Sequence, residues 1–227
     1  AAKRVALGEP VLEMRDVGVA DYRLRVPDIN LQVRAGEVIG LAGIEGSGQR
    51  LFLRACAGLD QPVGGEIWIA GTKMQRLPYR EFLDRGVVYL PAGRLEEGLV
   101  PGLNLTEHFV LAKRSQEFFV NWANAQTAAH ARIKEYSIRG APTTRVESLS
   151  GGNQQRALLA LLHPDLNLLL LEHPTRGLDI ESTLWVWRQL LERRQRGAAI
   201  IFASADLDEI FEYSDRILVF SGGRVAK

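Results

Sequence analysis

The chain has 227 residues, 46% hydrophobic and 24% charged, which is enough apolar material for a substantial core and excludes an intrinsically disordered segment. Lysine and arginine number 28 against 27 acidic residues, and a net charge of +1 leaves no overall electrostatic footprint for nucleic acid. The single cysteine, Cys56, excludes an internal disulfide framework; set in the apolar run FLRACAGL, it reads as core filler in a reducing compartment. No segment reaches the ~18 uninterrupted apolar residues of a membrane span, and the start, AAKRVALGEP, lacks an apolar stretch of signal-peptide length. The chain is therefore expected to be soluble. It starts just ahead of a strand-like run and stops just after SGGRVAK, as a piece of a longer polypeptide would.

In chain order, residues 11–19 and 29–33 alternate apolar and polar side chains, as half-buried strands do. Residues 38–42, VIGLA, are continuously apolar and too short for a helix, which predicts a central strand covered on both faces. The glycine-rich stretch GIEGSGQR follows at 43–50, and residues 49–57 read as a helix. Residues 65–71 alternate again between glycine turns, so an antiparallel layer is expected near the N-terminus. After the Gly/Pro-rich run 91–102 come two helical segments without strand periodicity, 105–113 and 124–138. LSGGNQQ at 149–155 opens a strongly apolar helix. Residues 168–171 and 198–203 repeat the buried-strand texture of 38–42, and each precedes a helix-like segment. The expected fold is α/β: a mostly parallel central sheet of the P-loop NTPase type, an N-terminal antiparallel layer, and an inserted helical subdomain. The core is assigned to 1–102 and 148–227, and the subdomain to 103–147.

Strand, glycine loop and helix in that order are the context of a phosphate loop, in which Gly43, Gly46, Ser47 and Gly48 let backbone N–H groups converge on an anion at a helix N-terminus. The full pattern G-x-x-x-x-G-K-[ST] asks next for a lysine and a hydroxyl, and finds Gln49 and Arg50. Gln49 can donate a hydrogen bond but not the full charge of a lysine, so affinity for phosphate should fall. Arg50 stands where a hydroxyl would ligate Mg2+, and a guanidinium cannot coordinate a cation. It reads either as a solvated arginine on the helix face or as a substitute cation. Glu45 is expected to point to water. In LSGGNQQ, Ser150 is read as an N-cap, and Gly151 and Gly152 expose backbone N–H groups at the start of the helix, a second anion site that needs no lysine.

LSGGNQQ, followed by LLLLEHPTRGLD at 168–179, ASADLDEI at 203–210 and SDRILVF at 214–220, resembles the ATP-binding-cassette ATPases, whose motifs occur here in the family's order over residues 11–226. With PTRGLD, GQ in the phosphate loop, and Tyr89-Leu-Pro91 near Arg94, the closest resemblance is to the second cassette of the double-cassette ATPases that energise simple-sugar and nucleoside importers. The resemblance implies ATP and Mg2+ as cofactors, weak or absent at this chain's own loop. It implies a second cassette, in the same polypeptide, as partner. It also implies transmembrane permease subunits that dock at residues 91–102 and the helices after them, and, indirectly, a periplasmic or lipoprotein solute-binding protein. The place implied is the cytoplasmic face of the cell membrane, with no nucleic acid among the partners.

Departures from the family pattern are specific. Where the family's strand ends in Asp-Glu-Pro-Thr, with the aspartate holding Mg2+ and the glutamate polarising water, this chain has Glu172 and His173. Glu172 is the one residue offered as a metal contact. His173 does not reproduce an anionic carboxylate, and either acts as a base or is tolerated because nothing is asked of it. The switch histidine falls at Ala205, and the glutamine after the earlier strand at Leu90 or Pro91. Charge, metal ligand, base and sensor are altered together, which implies absent or very slow hydrolysis at this loop. The signature residues Ser150, Gly151, Gly152 and Gln154, and Asp179 in the following turn, are intact. In the family two cassettes pair head to tail, so these residues are expected to complete the ATP site of an intact partner. Tyr22 either stacks on adenine or simply packs. The competing readings are a purely structural, dimerising cassette that binds nucleotide weakly or not at all, and a soluble cassette acting on nucleic acid.

Overall fold

A computed structural model describes residues 6–113 and 119–226. Two compact units are distinguishable. The larger holds the described residues up to 90, residues 164–174, and those from 188 onward. Its alternating runs form an antiparallel sheet from β1 (Pro10–Ala20), β2 (Arg25–Arg34), β4 (Gly64–Ile69) and β5 (Thr72–Lys73), ordered β2-β1-β4-β5. The continuously apolar runs become β3 (Val38–Gly43), β7 (Leu168–Glu172) and β8 (Ala199–Ala203), with β7 and β8 buried throughout. With β6 (Val87–Leu90), β9 (Arg216–Ser221) and β10 (Arg224–Ala226) they complete a second sheet, ordered β10-β9-β3-β8-β7-β6. All its pairings are parallel except the β10–β9 hairpin. The expected combination of a mostly parallel sheet with an antiparallel N-terminal layer is what the chain forms.

Helix α1 (Gln49–Cys56) packs against β1 as well as against β3, β7 and β8, so one hydrophobic cluster serves both sheets. Its inward face carries Phe52, Leu53 and Cys56, all fully buried, and Phe52 meets Phe220 edge to face at 5.7 Å. Cys56 is core filler as its setting suggests, and burial pushes its thiol pKa up. The helix α2 (Tyr79–Asp84) precedes β6, and α7 (Leu207–Tyr213) precedes β9.

The smaller unit comprises Pro91–His163 and Thr175–Trp187. It begins with a π-helical turn, Arg94–Gly98, followed by α3 (Leu105–Ala112) and α4 (Trp122–Glu135). Asn104 and Glu107 cap α3 reciprocally, a capping box that explains why the helix starts there. The helix expected over 124–138 starts two residues earlier, where the Asn121 side chain accepts the Asn124 N–H, and stops at Glu135 because Ser137 takes a left-handed φ of 52°. A 3-10 turn, Val146–Ser148, leads into α5 (Gly151–Leu161), whose Arg156 guanidinium lies 4.0 Å from the centroid of the Trp185 ring. The remaining helix, α6, spans Ile180–Gln195.

Within the larger unit, one buried charge is fully answered. Arg194 is 2% exposed; its Nη2 donates to both carboxylate oxygens of Asp215 at 2.8 Å and its Nε to the Gly36 carbonyl at 2.9 Å. Asp215 also accepts the Val38 N–H at 2.9 Å, which ties the start of β3 to the start of β9. Asp215→Ala strands the guanidinium, and a loss of about 3 kcal/mol is expected, because removing one partner of a buried pair leaves an uncompensated charge. Urea unfolding checks this: the midpoint should fall with the slope unchanged.

Candidate functional site

Parallel register sets the geometry. Leu41 pairs with Ala203, Phe202 with Leu171, and Leu171 with Leu90, so β3, β8, β7 and β6 end level with one another. Their carboxyl ends form the edge at which open α/β sheets receive ligands.

The loop 43–48 leaves β3 at this edge. Gly43, Gly46 and Gly48 hold φ of 142°, 85° and 116°, and a Cβ on Gly43 would collide with the Phe220 carbonyl oxygen. The loop also closes on itself. The Ser47 N–H donates to the Ile44 carbonyl at 3.0 Å, and the buried Gln49 side chain turns back so that its Nε2 donates to the same oxygen at 3.3 Å. Glu45 is exposed, as expected.

Arg50 is not simply a solvated arginine. Its Nε lies 3.7 Å from Oε1 of Glu172, with the Arg50 side chain 53% exposed and that of Glu172 5% exposed. The sequence gives each residue a motif position but does not pair them; the register of β3 against β8 and of β8 against β7 does. Tyr89, on β6, is an addition to the site: burial, and then the Glu172 charge, hold its phenol pKa above the usual range. Its signal in the sequence was a polar-tipped aromatic in an otherwise aliphatic strand, VVYL.

Arg50 and Glu172 are a poor pair of Mg2+ ligands. The ion demands oxygen ligands at about 2.0–2.1 Å in near-octahedral array. At Glu172 a guanidinium stands 3.7 Å from Oε1, and the Tyr89 phenol also approaches the carboxylate.

The other family positions lie close by in the larger unit. His173 directly follows β7 with a left-handed φ of 45°, a conformation that costs a non-glycine residue on the order of 1 kcal/mol, while its N–H donates to the Ala203 carbonyl at 2.8 Å. Ala205 is exposed, between Ser204, whose hydroxyl accepts the Asp206 N–H, and Asp206, which caps α7 through the N–H groups of Asp208 and Glu209. Leu90 is buried in the sheet. Tyr22 is not packed: it is 85% exposed, held out by a turn in which Asp21 accepts the Arg23 and Leu24 N–H groups, with the Arg23 guanidinium over its ring.

In the smaller unit, Ser150 holds the N-cap position of α5 but does not cap it as expected. Its hydroxyl instead accepts from Asn153 Nδ2 at 2.8 Å, and no backbone N–H reaches it. A local side-chain donor has displaced the backbone one. Ser150 is exposed, and the amides of Gly151 and Gly152 belong to the first turn, ahead of the helix's own ladder. The rest of LSGGNQQ braces the turn. Asn153 Oδ1 accepts the Arg139 N–H, the buried Gln154 amide donates to the Leu149 and Val146 carbonyls, and Gln155 Oε1 accepts from Arg94 Nε at 3.0 Å. Arg94 also donates to the Arg176 carbonyl. A Cβ on Gly152 would stand 2.8 Å from Ser182 Oγ. Asp179 is occupied as the start of α6: its carboxylate accepts the Ser182 N–H at 2.8 Å and the Ser182 hydroxyl at 3.0 Å.

Against known families, the model described as ABC transporter matches residues 26–176, from β2 through the phosphate loop and the signature to the end of β7 and beyond. The chain belongs to the ABC transporter family. Among curated relatives, the ribose import ATP-binding protein RbsA of Corynebacterium glutamicum is 34% identical, over 97% of this chain and 42% of its own length. The nucleoside import ATP-binding protein NupA of Lactococcus lactis is 33% identical over 95% and 44%, and the guanosine import ATP-binding protein NupO of Bacillus subtilis 33% over 96% and 44%. The chain thus spans less than half the length of these relatives. Of solved structures, an ATP binding subunit of an ABC transporter superposes with a TM-score of 0.78 at 22% identity, covering 96% of this chain and 88% of its own. A dimeric ATP-binding cassette in a post-hydrolysis state, bound to ADP and Pi, superposes with 0.77 at 21%, covering 95% and 97%. At such identities these two establish the fold, which agrees with the predicted P-loop type.

The Asp179 cap yields a pH dependence. The Ser182 N–H, then its hydroxyl, hold the Asp179 carboxyl below its ordinary value. A depressed carboxyl stabilises the fold fully above the unfolded pKa, about 3.9, and that contribution disappears as pH falls through the folded value. Asp179→Asn should keep the cap and lose this pH dependence, and Asp179→Ala should lose both. Urea midpoints measured at pH 6 and stepwise below about pH 4 separate the three proteins.

Proposed function

We propose that this chain is an ATP-binding cassette of an importer for simple sugars or nucleosides. In this reading it is the second of two cassettes in a longer polypeptide. Its own phosphate site is degenerate, and its signature turn completes the ATP site of the partner cassette. The observation that carries the reading is the contrast between the two motifs. Ser150 stands exposed at the head of a fully braced first turn. The loop 43–50 has Gln49 folded onto the Ile44 carbonyl and Arg50 turned toward Glu172. In such a pair the Ser150 hydroxyl and the Gly151 and Gly152 amides are the donors this chain offers to nucleotide held by its mate. An uncharged set of donors suits that role, since the cation then comes from the intact loop opposite.

The import function is supported by the ribose, nucleoside and guanosine import relatives, and their greater length is consistent with a second cassette in the same chain. The partners that follow are transmembrane permease subunits at the cytoplasmic face of the membrane and, through them, a solute-binding protein. No helix among the described residues is long and apolar enough to cross a membrane, so attachment would be through those subunits. Within the segment 103–147, read as the helical subdomain, Leu111, Phe119 and Trp122 are exposed apolar side chains suited to such docking.

In the assembled transporter, Ser150→Arg should abolish ATP-driven uptake, because it places a bulky cation at the head of the signature turn. Gln49→Ala should change uptake modestly. Radiolabelled-solute uptake into vesicles measures both, and the opposite ranking overturns the assignment.

A further inference from the structure

The loop 43–50 contains one cationic side chain, Arg50, at the first turn of α1. Its Nε lies 3.7 Å from Oε1 of Glu172, at the carboxyl end of β7. We propose that this loop binds a nucleoside triphosphate without a divalent cation, the Arg50 guanidinium serving as the built-in counter-charge that a metal supplies elsewhere. The inference rests on reading residues 43–50 as a nucleotide half-site; it requires neither transport nor action of the signature on a partner.

Three features of the larger unit carry it. First, a carboxylate that is 5% exposed needs a compensating cation, and Arg50 supplies one from within the chain. An ion seated about 2 Å from Oε1 on the arginine's side would lie inside van der Waals contact with Nε, so metal and guanidinium exclude each other there. Second, the Arg50 side chain is 53% exposed, so a polyphosphate entering over the loop would meet it. Third, Gln49 is already engaged with the Ile44 carbonyl and is neutral, which leaves Arg50 as the loop's source of positive charge. Carried by the chain itself, that charge is independent of metal concentration.

The test is calorimetric titration of this chain with ATP, once in excess MgCl2 and once in EDTA. The expected result is an apparent Kd in EDTA equal to or tighter than that in Mg2+, or weaker by no more than about threefold. Arg50→Ala should weaken binding in EDTA by about tenfold or more, while Arg50→Lys, which keeps the charge, should retain the metal independence. The double variant Arg50→Ser, Glu172→Asp should gain a Mg2+ requirement of about tenfold or more. Circular dichroism establishes folding of each variant; if none folds, the comparison on the unaltered chain decides alone. Binding that Mg2+ strengthens more than about threefold overturns the proposal, as does unchanged affinity in a folded Arg50→Ala, or the absence of binding in both buffers. Metal-free binding together with undiminished uptake by Ser150→Arg would leave this inference standing and remove the proposed role of the signature; the converse pair of results would do the reverse.

Discussion

Strands β9, β3, β8, β7 and β6 all run the same way, so their backbone groups are consumed in the ladder and their carboxyl ends open at one edge. Everything chemical in the larger unit follows from that constraint. Residues 43, 90, 172 and 203 lie far apart in sequence and become neighbours because the register Leu41–Ala203, Phe202–Leu171 and Leu171–Leu90 levels the strands that carry them. A shift of one residue in the β8–β7 pairing would move Glu172 along the edge and away from Arg50. Hydrophobic burial and site geometry are thus enforced by the same contacts.

Asp215 and Glu172, at opposite ends of the parallel strands, each meet an arginine, and the comparison shows what burial demands. Asp215 is partly exposed, yet its partner Arg194 is almost wholly buried and donates two short bonds to it and a third to a carbonyl. At the other pair the roles invert: Glu172 is buried and Arg50 half exposed, at the longer separation of 3.7 Å. The first geometry suits permanent structure, since neither partner can leave without stranding a charge. The second holds its cation loosely at a surface. A loosely held cation can be shared with an incoming anion.

Much of this was legible in the residues. Alternation against continuity separated the antiparallel layer from the parallel core, because one-sided and two-sided burial leave different periodicities. The strand, glycine loop and helix order located the phosphate loop, and Cys56 sat where an apolar run would put it. What sequence could not supply was partner choice among side chains. Ser150 has the chemistry of a cap, but Asn153 three residues on competes for the same hydroxyl, and the local amide prevails. Arg50 was legible as a residue unable to bind metal, whereas its approach to Glu172 depends on a pairing register 122 positions away in the chain (172 against 50). Tyr22 gave no apolar neighbours to pack against, and it stands in solvent beneath Arg23.

The contact of Gly152 with Ser182 reaches beyond this molecule. The Ser182 hydroxyl is held by Asp179 at 3.0 Å, so a side chain at 152 would have to displace that bond whether or not any phosphate arrives. A defect produced by enlarging residue 152 therefore reports on the seating of two helix starts before it reports on ligand recognition.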